Sequence, residues 1–412
     1  MIRRIIIILF VTFLTACVQL LTKESEQIPL AFKNAELQTE KMLKEIIEQK
    51  GQNSKLSKEN YQGLFPGSLN EDGSLKLIPS RDWRSGFFSG ELWFLYEYTM
   101  DEKWKDQAEK YTSLIEQEKF NTKDRGIGFK MMCSFGKGYE MTKNEAYRDI
   151  LIQSANSLLT CFNENVGCIK SCDTEHWQFP VIIDNMMDLE LLFWASKETG
   201  DPVYYNIAVK HAYTTLKNHF RHDHSSYHVV SYDTISGDVL KKQTKQGYSD
   251  ESAWARGQAW GLYGFTMTYR ETGAGIYYQQ AEKIAHFILN HSNLPNDMIP
   301  FWDYDAPEIP NESRDVSAAA ITASALYELS TLGPEKNVEY SHAADKIMKH
   351  LFVKYKSKDG QNKGFILDNS TGNKPENFEV NVPLIYADYY YMEALSRKYK
   401  FLQESNAYNN NN

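Results

Sequence analysis

The amino-acid sequence predicts an all-α protein whose helical hairpins close into a toroid, with one small β-hairpin insert. Three observations carry this reading. Helical periodicity runs through most of the chain, and strand signal is scarce. One pattern of punctuation recurs: a helix end, a tight turn, then a new helix led by an aromatic residue. The recurrences are unevenly spaced with long inserts between them. A solenoid keeps a more regular period and needs polar end caps, whereas a closed ring accommodates inserts at one end.

In order along the chain, the first segment reads as an address rather than as fold. Arg3 and Arg4 precede the apolar run Ile5 to Phe13, and Leu14-Thr15-Ala16-Cys17 follows. A basic start, a short apolar run and small residues make a secretory signal. The terminal cysteine resembles a bacterial lipoprotein box, so residues 1–17 are expected to be removed up to a lipidated Cys17. A plain signal peptide with a chance cysteine is the blander alternative. The apolar run is too short to span a bilayer. The expected product is an exported, membrane-anchored lipoprotein on a periplasmic or cell-surface face. Val18 gives no inner-membrane retention signal. Residues 18–28 read as a polar tether, residues 29–403 as a single helical domain, and residues 404–412 as a polar, disordered tail.

About 385 residues follow the tether, long for one domain unless the architecture is a closed toroid or barrel. Two stacked helical domains are the alternative, but no Pro/Gly/Ser-rich linker appears after residue 30. The hairpins are read from their turns. Tyr96-Glu-Tyr-Thr99 precedes Asp101 and Trp104, and Tyr139-Glu-Met-Thr142 precedes Asn144 and Tyr147. Lys197-Glu-Thr-Gly200 precedes Tyr204, Arg270-Glu-Thr-Gly273 precedes Tyr277, and Tyr327-Glu328 precedes Gly333-Pro334. At one of them Gly200 ends a helix, Asp201 caps the next and Pro202 takes its first position, the usual stop and start. Tyr227 to Gln246 departs from helix. Tyr227-His-Val-Val-Ser-Tyr-Asp alternates, Ser236-Gly237-Asp238 turns, and Val239-Leu240 resumes, which makes the β-hairpin. Phe301 to Pro307 reads as a loop of aromatics and carboxylates. The small residues of Arg314 to Ala320 would let a helix approach its neighbours closely.

Composition excludes some classes of function. A net charge of −9 leaves no footprint for nucleic acid, and it requires a local basic site for any anionic ligand. No phosphate-cradling glycine loop appears, so no nucleotide or redox cofactor is expected. Cys133, Cys161, Cys168 and Cys172 follow the lipobox. Export permits a disulfide among them, in a pairing the spacing does not fix, and the spacing lacks the paired CxxC of a metal site. Oligomeric state is open.

Two stretches carry candidate chemistry. Ser252 to Arg270 opens as a helix with Trp254, Arg256, Gln258 and Trp260 in its first turns. Arg256 and Trp260 are four apart and share a helical face. A cation beside an aromatic platform suits an acid group on a partly apolar ring, such as a uronic acid. The bland alternative is a cation–π pair that only packs. Asp184 follows the apolar run of Phe179 to Ile183, where a carboxylate is costly unless paired or used. Asp188 lies one turn on and reads as a structural cap or partner. His211 on the following helix reads by itself as a core histidine, and His176 beside Trp177 is no better as a site residue.

Several blocks together are similar to glycoside hydrolase family 88, the unsaturated glucuronyl hydrolases. They are Trp83 to Trp93, Gly128 to Gly136, Ile182 to Leu189, Trp254 to Trp260, Pro300 to Asp305, Arg314 to Ala320 and Tyr386 to Tyr390, in the family's order. The resemblance implies an (α/α)6 barrel. It also implies substrates left by polysaccharide lyases, whose terminal uronate carries a C4–C5 double bond. An acid protonates C4, water adds at C5, and the hemiketal opens and releases the remaining sugar. One carboxyl group donates the proton and then, as carboxylate, activates water. The family's acid/base matches Asp184, its arginine and tryptophan around the sugar match Arg256 and Trp260, and its histidine matches His211. The hairpin exit corresponds to Lys242, Thr244 and Gln246.

The resemblance fails at one place. The family's other central aspartate stands in an Asp-His-Asp-Ile-Gly-Phe type motif, and here the stretch is Asp124-Arg125-Gly126-Ile127-Gly128-Phe129. The second aspartate has become Gly126, and only Asp124 keeps an acid. Asp124 could substitute, or Asp184 could do acid and base work alone while Arg125 binds a differently charged or branched sugar. The third option is a weakened or repurposed member. The space at Gly126 favours the second. Two other functions compete: a toroid glycosidase on saturated glycans, which needs two facing carboxylates, and a non-catalytic glycan-capture lipoprotein.

Overall fold

The computed structural model describes residues 27–51, 64–123, 126–171, 176–333 and 337–410. The signal, the lipidation site Cys17 and residues 18–26 of the tether lie outside these, as do Asp124, Arg125 and Cys172.

The helices fall into two kinds, and their sequences explain the difference. Helix α1 covers residues 27–51, α2 Phe87–Thr99 and α3 Glu102–Ser113. α2 is apolar on nearly every side and buried throughout its first ten positions, so it has neighbours all round. α3 buries only Trp104, Ala108, Tyr111 and Thr112, a single stripe at helical spacing. α2 therefore lies inside and α3 outside.

The alternation continues. α4 covers residues 127–142 with one π turn at Met132–Gly136, and α5 covers Glu145–Leu159. The 3₁₀ turn Ile183–Asp188 leads into α6, Leu189–Thr199, and α7 is Pro202–Asn218. α8 is Ala255–Thr272, α9 Gly275–Asn290, α10 Val316–Thr331, α11 Val338–His350 and α12 Ile385–Asn410. The even-numbered helices form an inner ring that closes where α12 packs on α2. The odd-numbered helices surround it, which makes the (α/α)6 toroid. Most of its apolar core is one cluster that draws on every inner helix, and a smaller one joins Cys168, Val181, Val230 and Tyr232. α10 packs closely on α8 and α12, and it buries Ser317, Ala318, Ala319 and Ala320 of the small-residue run noted in the sequence.

Inner helices pass to outer ones by one repeated turn. Met100, Lys143, Gly200 and Gly273 end α2, α4, α6 and α8 in the left-handed conformation. One residue earlier stands Thr99, Thr142, Thr199 or Thr272. Each hydroxyl donates to the carbonyl four residues back and accepts the amide two residues on. Asp101, Asn144 and Asp201 then cap the outer helix, each accepting the amide two positions ahead. Trp104, Tyr147, Tyr204 and Tyr277 seat the outer helices in the core.

The long connections collect at the opposite end, where the inner helices begin. They carry the strands: β1 Leu64–Leu69 with β2 Leu75–Pro79, β3 Phe162–Asn163 with β4 Cys168–Ile169, a sheet of β5 Pro180–Ile182, β6 Val229–Tyr232 and β7 Val239–Gln243, and β8 Ser370–Asn373 with β9 Phe378–Val382. The expected hairpin is β6–β7, with Val230 opposite Lys242, and β5 adds a third strand to it. The other two-stranded units were not expected.

Two domain boundaries shift. Residues 27 and 28, assigned to the tether, are helical, and Ile28 is buried in the core. The tail expected to be disordered from residue 404 is helical to Asn410, because extending a packed helix carries no nucleation cost. Cys133 and Cys168 are free thiols.

Candidate active site

A cavity of about 290 Å³ opens at the end where the inner helices start. Trp83 and Arg84 come from just before α2, and Phe129 from the first turn of α4. Asp184, Asn185 and Asp188 come from the turn before α6, Arg256 from the first turn of α8, and Tyr386 from the first turn of α12. The positive ends of these helix dipoles therefore gather at the cavity, where with Arg84, Lys245 and Arg256 they oppose the charge of the lining carboxylates Asp82, Asp184, Asp188, Glu376 and Glu379.

Asp184 is half-buried near the start of the 3₁₀ turn. Asn185 locks that turn, accepting the Ile182 amide at 3.1 Å through Oδ1 and donating to Asp188 Oδ2 at 3.2 Å. Facing Asp184 is His228, with Nε2 3.8 Å from Asp184 Oδ2. His228 Nδ1 accepts the amides of Lys245 and Gln246, each at 3.2 Å, so the proton of the neutral ring belongs on Nε2, the side towards Asp184. Trp254 stacks on the imidazole at 4.4 Å.

Arg256 is fully buried in the cavity wall. It donates to Asp315 Oδ2 at 2.6 Å, to the Thr371 carbonyl at 2.5 Å and to the Gly372 carbonyl at 2.6 Å. Burial opposes its charge, but Tyr386, Asp315 and Asp184 more than offset this and hold the guanidinium protonated. Across the cavity Arg84 is held between Asp82 and Glu379. Gln246 also lines the cavity, and its Nε2 donates to the Gly372 carbonyl at 2.8 Å, tying the exit of β7 to β8.

Burial pushes Asp188 up to about 6, partly countered by Asn185 and by the amides of Gly128 and Phe129. Among the described residues no group of three or more His, Cys, Asp or Glu is arranged to hold a metal ion.

The other expected site residues stand elsewhere. Trp260 is not in the cavity wall. It is enclosed below it, edge-on to Phe129 at 5.1 Å and to Tyr390 at 5.3 Å. The ring beside the Arg256 guanidinium is Trp254, at 4.6 Å, with Tyr386 on another side at 5.5 Å. An inner helix is packed on all sides, so sharing the i, i+4 face did not bring 256 and 260 together over a ligand. Trp254, the extended N-cap residue, could fold back instead.

His211 lies on outer helix α7, away from the cavity. Its Nδ1 accepts the Ile169 amide at 3.0 Å, and burial drives it down to about 3, so it is a neutral structural group. Thr244 accepts the Gly247 amide inside a turn, and Lys242 lies 4.9 Å over the Tyr227 ring; neither lines the cavity.

His228, Trp83, Arg84 and Tyr386 were not among the site residues read from the sequence. The pairing of Ile182 with Val229, and the Ile183 amide bonded to the His228 carbonyl at 3.0 Å, bring His228 beside Asp184. The alternation after Tyr227 gives the strand but not its partner, so this proximity had no local signal.

A family model, Glycosyl Hydrolase Family 88, matches residues 65–402. The chain is 50% identical over 325 residues to an unsaturated glucuronyl hydrolase of Formosa agariphila, covering 78% of this chain and 81% of that one. It is 30% identical over 389 residues to an unsaturated chondroitin disaccharide hydrolase of Streptococcus pneumoniae, covering 92% and 97%. Among solved structures, an unsaturated glucuronyl hydrolase specific for heparin superposes with a TM-score of 0.84 at 43% identity, covering 90% of this chain and 98% of that one. The unsaturated glucuronyl hydrolase of Bacillus sp. GL1 gives 0.82 at 29% identity, covering 90% and 96%.

Proposed function

Because the chain belongs to glycosyl hydrolase family 88 and is a hydrolase that removes the terminal unsaturated uronic acid from oligosaccharides, we propose that Asp184 is its acid and base. The observation that carries this is the meeting of Asp184, His228 and Arg256 in one cavity at the starts of the inner helices. The Asp184 carboxyl gives its proton to C4 of the enol ether, and the positive charge left at C5 is shared with the ring oxygen. Water adds at C5 and returns a proton to the Asp184 carboxylate. The C5 hemiketal opens by breaking its bond to the ring oxygen, which leaves a ketone at C5 and a hemiacetal at C1. That hemiacetal then expels the remaining sugar.

His228 orients Asp184, and Arg256 with the gathered helix ends favours the uronate carboxylate. Trp83 and Tyr386 supply the apolar wall that a sugar ring requires. The substrates are oligosaccharides left by lyase action, with the unsaturated uronate at their terminus.

The test follows the ultraviolet absorbance of the unsaturated uronate on a panel of lyase-generated disaccharides. Loss of absorbance with release of the second sugar is expected. Asp184→Asn should slow it by on the order of 10²–10⁴-fold with an unchanged circular dichroism spectrum. Full activity in that variant would remove Asp184 from the chemistry. Release of reducing sugar without loss of absorbance would show a glycosidase on saturated glycans, and binding alone a capture protein.

The N-terminal sequence supports export and lipid anchoring through Cys17, with the toroid carried outside the cytoplasm. Cys17→Ser is expected to move the protein from the membrane fraction to the soluble fraction and to abolish palmitate labelling. An unchanged distribution counts against the anchor.

A further inference from the structure

Asp188 closes the 3₁₀ turn on which Asp184 stands, and its carboxyl is both enclosed (1% exposed) and part of the cavity wall. Oδ1 accepts the Gly128 amide at 2.8 Å and Oδ2 accepts Asn185 Nδ2 at 3.2 Å. The backbones are as close as they can be: a Cβ at Gly128 would lie 2.4 Å from the Asp188 Cα. Gly126, the N-cap of α4, has no side chain to offer, so Asp188 caps α4 from a neighbouring element.

A cap needs only an acceptor, and a neutral side chain would serve. Here the acceptor is ionisable, completely buried, and bonded only to uncharged donors. The charged group that acts on it is Asp184, whose negative charge opposes its own. Among the described residues no cation bonds to it, although Arg84 and Lys245 line the same cavity. Lys130 of α4 turns away to the Arg81 carbonyl and Glu118, and Arg256 of α8 is engaged with Asp315. Glu190 of α6 pairs with Arg270. His211 of α7 and His219 just after it are engaged by the Ile169 amide and the Val181 carbonyl, and His228 faces Asp184 from beside the sheet.

We propose that Asp188 is a positioning residue for the reaction: a second carboxyl, on the same turn as Asp184 and bonded to no cation among the described residues, that keeps the Asp184 carboxyl protonated until the sugar alkene takes its proton. Two carboxyls on one turn and in one cavity resist being ionised together, so the proton is retained by the pair at a pH where a lone surface aspartate has lost it. Asn185 holds the two at fixed spacing. The inference rests on Asp184 being the acid.

The test is the pH profile of kcat for Asp188→Asn, which keeps the shape and an acceptor for Gly128 but removes the charge. Without its opponent Asp184 ionises more readily. The alkaline limb of kcat should therefore move to lower pH by roughly 0.5–1 unit, with a several-fold loss at pH 8 and KM little changed. Asp188→Ser, also neutral and also able to accept the amide, should move the limb the same way, and it serves where the asparagine variant does not fold. A limb that stays in place or moves upward in both variants overturns the proposal and leaves Asp188 as a helix cap. Asp184→Asn separates the two failures: full activity there defeats the assignment of the acid, whereas an inactive Asp184→Asn with an unmoved limb in the Asp188 variants defeats only this inference.

Discussion

Arg256 shows how one side chain can serve a site by holding its walls together. Three of its hydrogen bonds go to Asp315 and to the carbonyls of Thr371 and Gly372, so it joins α8, the cap of α10 and strand β8 around the cavity. A lysine retains the charge but cannot reach three acceptors in that geometry. Arg256→Lys should cost roughly 2–4 kcal/mol in a urea titration, because a buried Asp315 loses most of its compensation. A change below about 0.5 kcal/mol, the range of ordinary surface substitutions, would show that the guanidinium fork is dispensable. At this scale the sequence was partly legible. Asp184 stood out because a carboxylate after an unbroken apolar run must be paired or used, and Arg256 because it stood between two indoles at a helix start. His228 did not stand out, since its neighbour at the site comes from strand pairing across 44 positions. His211 was matched in its place from the resemblance, and it proved to be a core residue of the outer layer.

Among the elements, the repeated turn carries most of what could be read in advance. Its signals are local: a threonine, a left-handed residue, an Asp or Asn cap and an aromatic, all within a few positions. Asp201→Ala removes one cap from an exposed turn and should destabilise the protein by about 1 kcal/mol, measured by chemical denaturation. A loss near zero would mean that the threonine and the left-handed residue suffice. The hairpin β8–β9 was illegible for the opposite reason. Its second strand has left-handed backbone at Glu379 and Asn381, at φ of 55° and 54°, and so lacks a regular two-residue alternation. Glu379 is placed by Arg84 and Lys76, distant in sequence, and not by its own neighbours.

For the whole molecule, closing the ring places acids where water cannot reach them. Glu91 of α2 and Asp388 of α12 face each other at the closure. Burial raises both, Glu91 to about 7, and the charge of Glu91 raises Asp388 further. Thr39 donates to Glu91 at 2.6 Å, and Asp388 accepts the amides of Ile366 and Leu367. A carboxyl raised in the folded state binds a proton that the unfolded chain releases, so its contribution to stability falls as pH rises from about 4.5 to about 7 and is level above that. Glu91→Gln imitates the protonated form. It should stabilise the protein at pH 8 by on the order of 2–3 kcal/mol and change little at pH 4.5, by thermal or urea unfolding. An equal effect at both pH values would exclude this titration. The ring has a further, practical asymmetry. Its tight reversals lie on the face away from the cavity, and its long connections lie on the cavity face. A tag, cross-link or surface attachment introduced at Gly273–Gly275 leaves the pocket entrance open to a polymer digest, while the same graft between Tyr227 and Gln246 would land on the wall that holds His228.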